Sequence, residues 1–436
     1  MLFRQAEISR IEEILRQIVG KPFSQAKSVI EQRIEELLEQ YGSTFLSPET
    51  KQILVIGYYR AAQEYKIAGP RKLGGPYFLH PEQTVAVLLD AGITDPVTLL
   101  AGLLHDVVEE RLSAFYKELA RKKVKYNIRT EREKKLIAQE VKNLQQRLAT
   151  DLMQHSVSEA DVLAMHVCEV VQSLTRRKKE LYYSSIKRLF DPPQLVCAEN
   201  ASRAIIVKFA DRCANTLDLE RADYTVYPAH INLQDIIDAY TQHNPKRITE
   251  LCAQTREYAA EHPMKQEGKF SGDQKLHPCF KNIILMNQYR EWVLAGNASL
   301  GAVEAMDLPG ITLRTTQKII DHLCTYHCGN GTLNPQIVFN LYEEHERYKH
   351  SGGYACVTRA HSSYQGYDGI VQRFFHAKIR GNTEALAELY NNRALMFRAA
   401  IGFNNLCFLY QTDPLFHLRG LTSSGVHAEA PVSYKK

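Results

Sequence analysis

In most stretches between residues 6 and 219 the apolar side chains return three and four positions apart, and nowhere do they alternate as they would along a half-buried strand. That period is the strongest constraint on the fold. Ile8, Ile11, Ile14 and Leu15 make one stripe, and Ile30, Ile34, Leu37 and Leu38 another. The break at Gly20-Lys21-Pro22 separates them, so residues 6–40 predict two amphipathic helices. Further helical stretches run over 50–68, 82–91, 98–110, 158–175 and 198–219, with stops at Gly69-Pro70, Gly92 and Asp191-Pro192-Pro193. Stripes of this kind are buried only by packing helix on helix, which makes the fold class all-α.

A chain of 436 residues is too long for one compact core, so two domains are expected. Helices in 1–45 should pack on a domain spanning 46–261. The stretch 262–278, with Gly, Lys and Pro, reads as a linker, 279–420 as a second, mostly helical domain, and 421–436 as a loose tail. Nine cysteines without CxxC pairing argue for reduced thiols and a cytoplasmic address. The opening MLFRQAEISRIEEILRQ lacks the apolar block of a signal peptide, and no run of 18 apolar residues occurs, so neither secretion nor a membrane span is expected. The net charge of +5 is local: between Lys117 and Arg147 eleven Lys and Arg face four Glu. Residues 115–150 show no strong apolar stripe and read as a solvated, partly coiled basic excursion. A phosphate-attracting or nucleic-acid patch is the sharper alternative, but charge alone specifies nothing, and nucleic acid is not the expected partner.

Chemistry concentrates at Leu103-Leu104-His105-Asp106-Val107-Val108-Glu109-Glu110. On a continuous helix from Thr98 to Glu110, His105, Asp106, Glu109 and Glu110 would share roughly 140° of one face, opposite Leu100, Leu103, Leu104, Val107 and Val108. By itself this describes either a solvated acidic face or a ligand set. Two other places bear on the choice. The loop 69–81, rich in Gly and Pro, carries His80, and the apolar run Ile205-Ile-Val-Lys-Phe-Ala-Asp211 buries a carboxylate. An ionised Asp among Ile, Val, Phe and Ala needs compensation by a cation, by Arg212 or by Lys208. Imidazole nitrogens from His80 and His105 with carboxylates from Asp106 and Asp211 are what a divalent metal takes. Asn215 and Asp218 share the Asp211 stripe.

Three blocks, Arg71-Lys-Leu-Gly-Gly-Pro-Tyr-Phe-Leu-His-Pro81, Ala101-Gly-Leu-Leu-His-Asp-Val-Val-Glu-Glu110 and Val207-Lys-Phe-Ala-Asp-Arg-Cys-Ala-Asn215, strongly resemble the HD-superfamily hydrolase domain of the RelA/SpoT proteins, which make and destroy the alarmone (p)ppGpp. They stand in the family's order over about 150 residues, and Leu174-Thr175-Arg176 echoes a weaker block between them. The resemblance covers about residues 50–225 and implies an HD-type helical fold there, with the basic stretch as an insertion. It implies Mn²⁺ held by His80, His105, Asp106 and Asp211, water activation by Glu109 and Glu110, phosphate contacts from Arg71 and Lys72, and nucleoside contact from Asn215. It further implies a nucleotide substrate, (p)ppGpp in the first place, hydrolysed at its 3′-pyrophosphate. Another nucleotide substrate, or a nucleotide-sensing regulatory role, are the alternatives, and a homo-oligomer is compatible with either. The chain departs from the family at Glu110, where Asp is usual, at Asp218, where Thr is common, and in the length of the basic insertion. No synthetase block stands out in the C-terminal half.

Weaker signals resolve to plain readings. Cys324, His327 and Cys328 near His322 have zinc-ligand types but no second cluster, so buried thiols are expected. His345 and His350 are five apart, which turns their imidazoles some 140° away from each other on a helix and rules out a zincin pair. The turns at 351–353 and 366–369 lack a strand and helix around them, and the aromatic residues of 364–410 lie at core spacing.

Overall fold

The computed structural model describes residues 2–41, 46–71, 75–122, 130–177, 180–192, 196–221, 278–297 and 299–312, with single positions at 246, 250, 314, 315 and 318. Among the described residues there is no strand. The chain divides into two compact units, Met1–Ala222 with Gln288–Ile311, and Asp223–Asn287 with Thr312–Lys436. Only a few residues of the second unit are described, among them Asn282, which donates to Thr312 Oγ1 at 2.8 Å. The linker at 262–277, nearly all of the C-terminal helical domain, the tail at 421–436 and the cysteine, histidine and glycine motifs beyond residue 319 lie outside the described residues.

The helices of the first unit are α1 (Leu2–Ile18), α2 (Phe23–Gln40), α3 (Pro48–Tyr65), α4 (Leu79–Asp90), α5 (Pro96–Leu104), α6 (Val107–Arg121), α7 (Thr130–Gln154), α8 (Ala160–Leu174), α9 (Tyr182–Phe190) and α10 (Ala198–Arg221). After them come α11 (Pro278–Leu294), which contributes residues to both units, and α12 (Gly301–Ala305). Their starts follow local chemistry. Ser47 caps α3 by accepting from the Thr50 N–H at 3.0 Å, and Asp95 caps α5 from the Thr98 N–H at 2.9 Å; each is followed by a proline. Proline suits that position because its missing N–H would have had no partner in the helix.

The core is organised around α5. Every residue from Val97 to Leu104 is buried, and the helix packs against α3, α4, α8 and α10. Two glycines permit that closeness. A Cβ on Gly57 would come within 2.8 Å of Leu100 Cγ, and one on Gly102 within 2.7 Å of Leu88 Cδ1, both shorter than side chains tolerate. Helices α1 and α2 pack on each other and on α3, and Arg33 of α2 binds Glu82 of α4 at 2.6 Å.

The basic insertion departs from expectation. Instead of a partly coiled excursion, Thr130–Gln154 is one 25-residue helix packed on α8, with Ile137, Val141, Leu144, Leu148 and Leu152 buried along it. The stripe was hard to see because it is a narrow seam, two positions in seven, diluted by charge on the remaining surface. Some of that charge is also turned inward. Glu64, 2% exposed, accepts from Arg111 of α6 at 2.7 Å and from Arg147 of α7 at 2.8 Å. These arginines are therefore neutralised within the fold. No helix among the described residues is long and apolar enough to cross a membrane.

Candidate metal centre

Three elements deliver the four side chains. His80 does not lie on a loop, as the Gly/Pro content suggested, but in the first turn of α4. Pro81 follows it at the third helical position, where an N–H would still lack an intrahelical acceptor, so proline does not oppose the helix there. His105 and Asp106 likewise do not continue one helix from Thr98 to Glu110. α5 ends at Leu104 and α6 begins at Val107, with Asp106 at φ −98°, ψ −4°. Two hydrogen bonds account for the interruption, one local and one from a distant residue. The Gly102 carbonyl accepts from His105 Nδ1 at 2.8 Å, and the Asp106 N–H donates instead to the Tyr65 hydroxyl at 3.2 Å. His105 and Asp106 thus occupy a turn at the edge of the core, and Glu109 and Glu110 open α6, where acidic side chains suit the positive end of the helix. Asp211 comes from the middle of α10.

The ligand-type atoms of these residues face one another. His80 Nε2 is 3.3 Å from His105 Nε2, 3.1 Å from Asp211 Oδ1 and 3.7 Å from Asp106 Oδ2. His105 Nε2 is 3.3 Å from Asp106 Oδ2 and 3.9 Å from Asp211 Oδ1. Atoms bound at about 2.0–2.2 Å to one ion lie roughly 3.0–3.6 Å apart; His80, His105 and Asp211 each bring one ligand-type atom within 4.8 Å of the other two, and Asp106 joins them through its contacts with the two histidines. The tautomer agrees. Because Gly102 O can only accept, His105 Nδ1 carries a hydrogen, and in the neutral ring Nε2 is left with its lone pair turned into the cluster. Two buried imidazoles and the buried Asp211 carboxylate, with the 21%-exposed Asp106 carboxylate beside them, fit a divalent cation.

Without such an ion the groups compensate each other. Burial disfavours a charged His105, yet Asp106 and Asp211 beside it push its pKa up to about 9. Burial and the Arg71 guanidinium push His80 the other way, below the usual histidine range. Burial also opposes ionisation of both aspartates, but His105 holds Asp106, and Lys208 with His80 holds Asp211, below the ordinary carboxylate range. Lys208 reaches Asp211 Oδ2 at 2.7 Å, so Asp211 meets both the histidines and a lysine.

Around this centre Tyr77 donates to Asp106 Oδ2 at 2.8 Å and stacks on Tyr65 with ring centroids 5.4 Å apart. Asn215 donates to Asp211 Oδ1 at 2.5 Å and lies 3.5 Å from His80 Nε2. Glu109 Oε1 accepts from the Arg176 backbone N–H at 2.6 Å. Burial and the nearby Asp106 charge raise the pKa of both glutamates. Arg71 donates to Asn215 Oδ1 at 2.9 Å and pairs with Asp218, its Nη1 2.6 Å from Oδ2 but outside hydrogen-bond angles. Lys72 lies outside the described residues.

Sequence reasoning had not assigned parts to Tyr65, Tyr77, the Gly102 carbonyl or the Arg176 N–H. Tyr77, three residues before His80, was the one with a usable signal. Backbone donors and acceptors carry no residue type, and so left none.

Fold and site together define an all-α protein with a cluster of two histidines and two aspartates, three of the four buried, joined to a surround of tyrosine, asparagine and arginine. No family model matches the chain, and no solved structure matches it. Three proteins are similar to it. A "Probable guanosine-3′,5′-bis(diphosphate) 3′-pyrophosphohydrolase" of Mycoplasma genitalium is 25% identical over 270 residues, 58% of this chain and 36% of that protein. A "GTP pyrophosphokinase" of Streptomyces coelicolor is 44% identical over 52 residues, and another of Streptomyces antibioticus is 42% identical over 52. Those two matches span 12% of this chain and 6% of each relative. The chain therefore covers well under two thirds of the length of the relatives it matches. These similarities support a relationship to the RelA/SpoT proteins.

Proposed function

We propose that this chain is a divalent-metal-dependent phosphohydrolase of the RelA/SpoT type in the cytoplasm, with the 3′-pyrophosphate of (p)ppGpp as its substrate. The observation that carries the reading is the convergence of His80, His105, Asp106 and Asp211, with His105 fixed in a tautomer that turns Nε2 inward. Manganese held by these four would supply positive charge beside the scissile phosphate and make bound water acidic. The chain's own groups do the rest. Glu109, held by the Arg176 N–H and raised in pKa, orients water and takes its proton, while Glu110, also raised in pKa beside Asp106, supports it. The water oxygen bonds to phosphorus, the P–O bond to the ribose 3′ oxygen breaks, that oxygen takes up a proton to become the free 3′-hydroxyl, and pyrophosphate is released. Asn215 contacts the nucleoside, and Arg71 and Lys72 meet the phosphates.

A second reading keeps the chemistry and changes the nucleotide. It is favoured by Asp218, which neutralises Arg71 where a free guanidinium would otherwise attract phosphate.

Purified full-length chain loaded with Mn²⁺ should release pyrophosphate from ppGpp, and Asp106→Ala should lose both the metal and the activity. If metal-loaded protein leaves ppGpp intact but hydrolyses another member of a nucleotide panel, the substrate is reassigned. If it turns over none of them, the enzyme reading fails. Unchanged metal content in Asp106→Ala would overturn the ligand assignment.

A further inference from the structure

A second group of metal-ligand types lies apart from these residues and takes no part in the chemistry above. A ring nitrogen of His166, a carboxylate oxygen of Glu169 and Cys197 Sγ all lie within 4.8 Å of one another. His166 and Glu169 sit one turn apart on α8. Cys197 immediately precedes α10 and caps it, its carbonyl accepting from the Ala201 N–H at 3.0 Å and its sulfur from the Asn200 N–H at 3.4 Å.

Asn200, fully buried, fixes how these groups point. Its Oδ1 faces Arg203 Nη1 at 2.8 Å, and a guanidinium can only donate, so the amide NH₂ must face the other way. There it donates to His166 Nδ1 at 2.9 Å and to a Glu169 carboxylate oxygen. A nitrogen that accepts from an amide carries a lone pair. His166 Nδ1 and a Glu169 oxygen therefore both present lone pairs to the Asn200 amide, whose own backbone N–H points at the Cys197 sulfur.

We infer that His166, Glu169 and Cys197 form a second metal site, for Zn²⁺, clamping α8 to the start of α10. Imidazole, carboxylate and thiolate are a borderline-soft set that suits zinc, with water as the fourth ligand, and is unlike the all-N/O set at His80. Ligand atoms around a tetrahedral zinc lie roughly 3.3–3.8 Å apart, so closure needs movements of about an ångström. Cys197 is exposed and the other two are half-buried, which leaves them room to move. On binding, the cysteine gives up its proton to solvent, and the Asn200 amide turns away from His166 and Glu169, giving up its bond to Arg203.

Cobalt reports thiolate ligation directly and separates the two sites, because the His80 cluster contains no sulfur. Full-length reduced protein titrated with Co²⁺ should develop a thiolate-to-cobalt charge-transfer band in the near ultraviolet. Zn²⁺ in excess of both sites should abolish it, and should raise Tm further than it does in Cys197→Ser. Cys197→Ser, which preserves the cap, should lose the band and this added Tm response while retaining Mn²⁺ at the other site. His166→Gln should weaken Zn²⁺ binding at least tenfold. The inference is overturned if no band forms, or if the band survives in Cys197→Ser. It is equally overturned if Zn²⁺ affinity is unchanged in a folded His166→Gln variant.

Discussion

Replacing Asp218 by asparagine removes a charge while keeping shape, and it tests whether that carboxylate holds Arg71 away from phosphate. The Asp218 side chain is 1% exposed and that of Arg71 13%, with 2.6 Å between Oδ2 and Nη1. Removing one partner of a fully buried ion pair costs about 3–5 kcal/mol, because the other charge is left dehydrated and uncompensated. Arg71 retains some water and its 2.9 Å bond to Asn215. The expected loss is therefore smaller, about 2–3 kcal/mol, read as a lower urea midpoint at neutral pH. Binding should move the other way. A guanidinium released to a phosphate oxygen makes a charge-assisted hydrogen bond worth about 1.5–3 kcal/mol, or roughly 10- to 150-fold in affinity. Asp218→Asn should thus be less stable and yet bind inorganic pyrophosphate, or show a KM for ppGpp, at least about tenfold tighter than the parent. Weaker binding alongside the same loss of stability would refute the reasoning, since it would mean that Asp218 itself holds the ligand.

Other perturbations test other links. Tyr77→Phe deletes the 2.8 Å bond to Asp106 Oδ2 and leaves the ring stack, and should lower Mn²⁺ affinity about tenfold by equilibrium dialysis with little change in Tm. Asp95→Ala removes the α5 cap and its pairing with Arg203, and should cost about 1–2 kcal/mol at pH 7 in urea denaturation. Although burial raises it, Arg203 and Thr98 hold the Asp95 pKa below the ordinary range. Its contribution is therefore present above the unfolded value of about 4 and fades as pH falls through the lower folded one, so parent and variant should converge in acid. Leu148→Ala should cost about 2–5 kcal/mol if α7 is core, whereas a change within about 0.5 kcal/mol would return the helix to solvent.

Much of the first unit was legible because helical period is a local property. The stripes and the Gly and Pro breaks each act within one or two turns, so α1 to α4, α8 and α10 could be placed within a few residues. Errors arose where a distant or unusual partner overrode the local signal. Pro81 suggested a loop because the helix start at Leu79 carries no side-chain cap to announce it. The stretch from Thr98 to Glu110 suggested one helix because nothing nearby reveals that Tyr65, forty-one residues earlier, takes the Asp106 N–H. The seam of α7 was masked by surrounding charge.

Residue types alone nominated His80, His105, Asp106 and Asp211, because a histidine beside an aspartate and a carboxylate in an apolar run are chemically conspicuous in any fold. Whether they meet is another matter. His80 and Asp211 are 131 positions apart and come within 3.1 Å only because α4 and α10 pack on each other beside a fully buried α5. Tertiary structure alone also decided that Asp218 faces Arg71, and that Cys197 meets His166. Sequence determines what a side chain can donate, accept or ligate, and how its own helix turns. Which lone pairs share a point depends on packing between distant segments, and that information is not carried by any one of them.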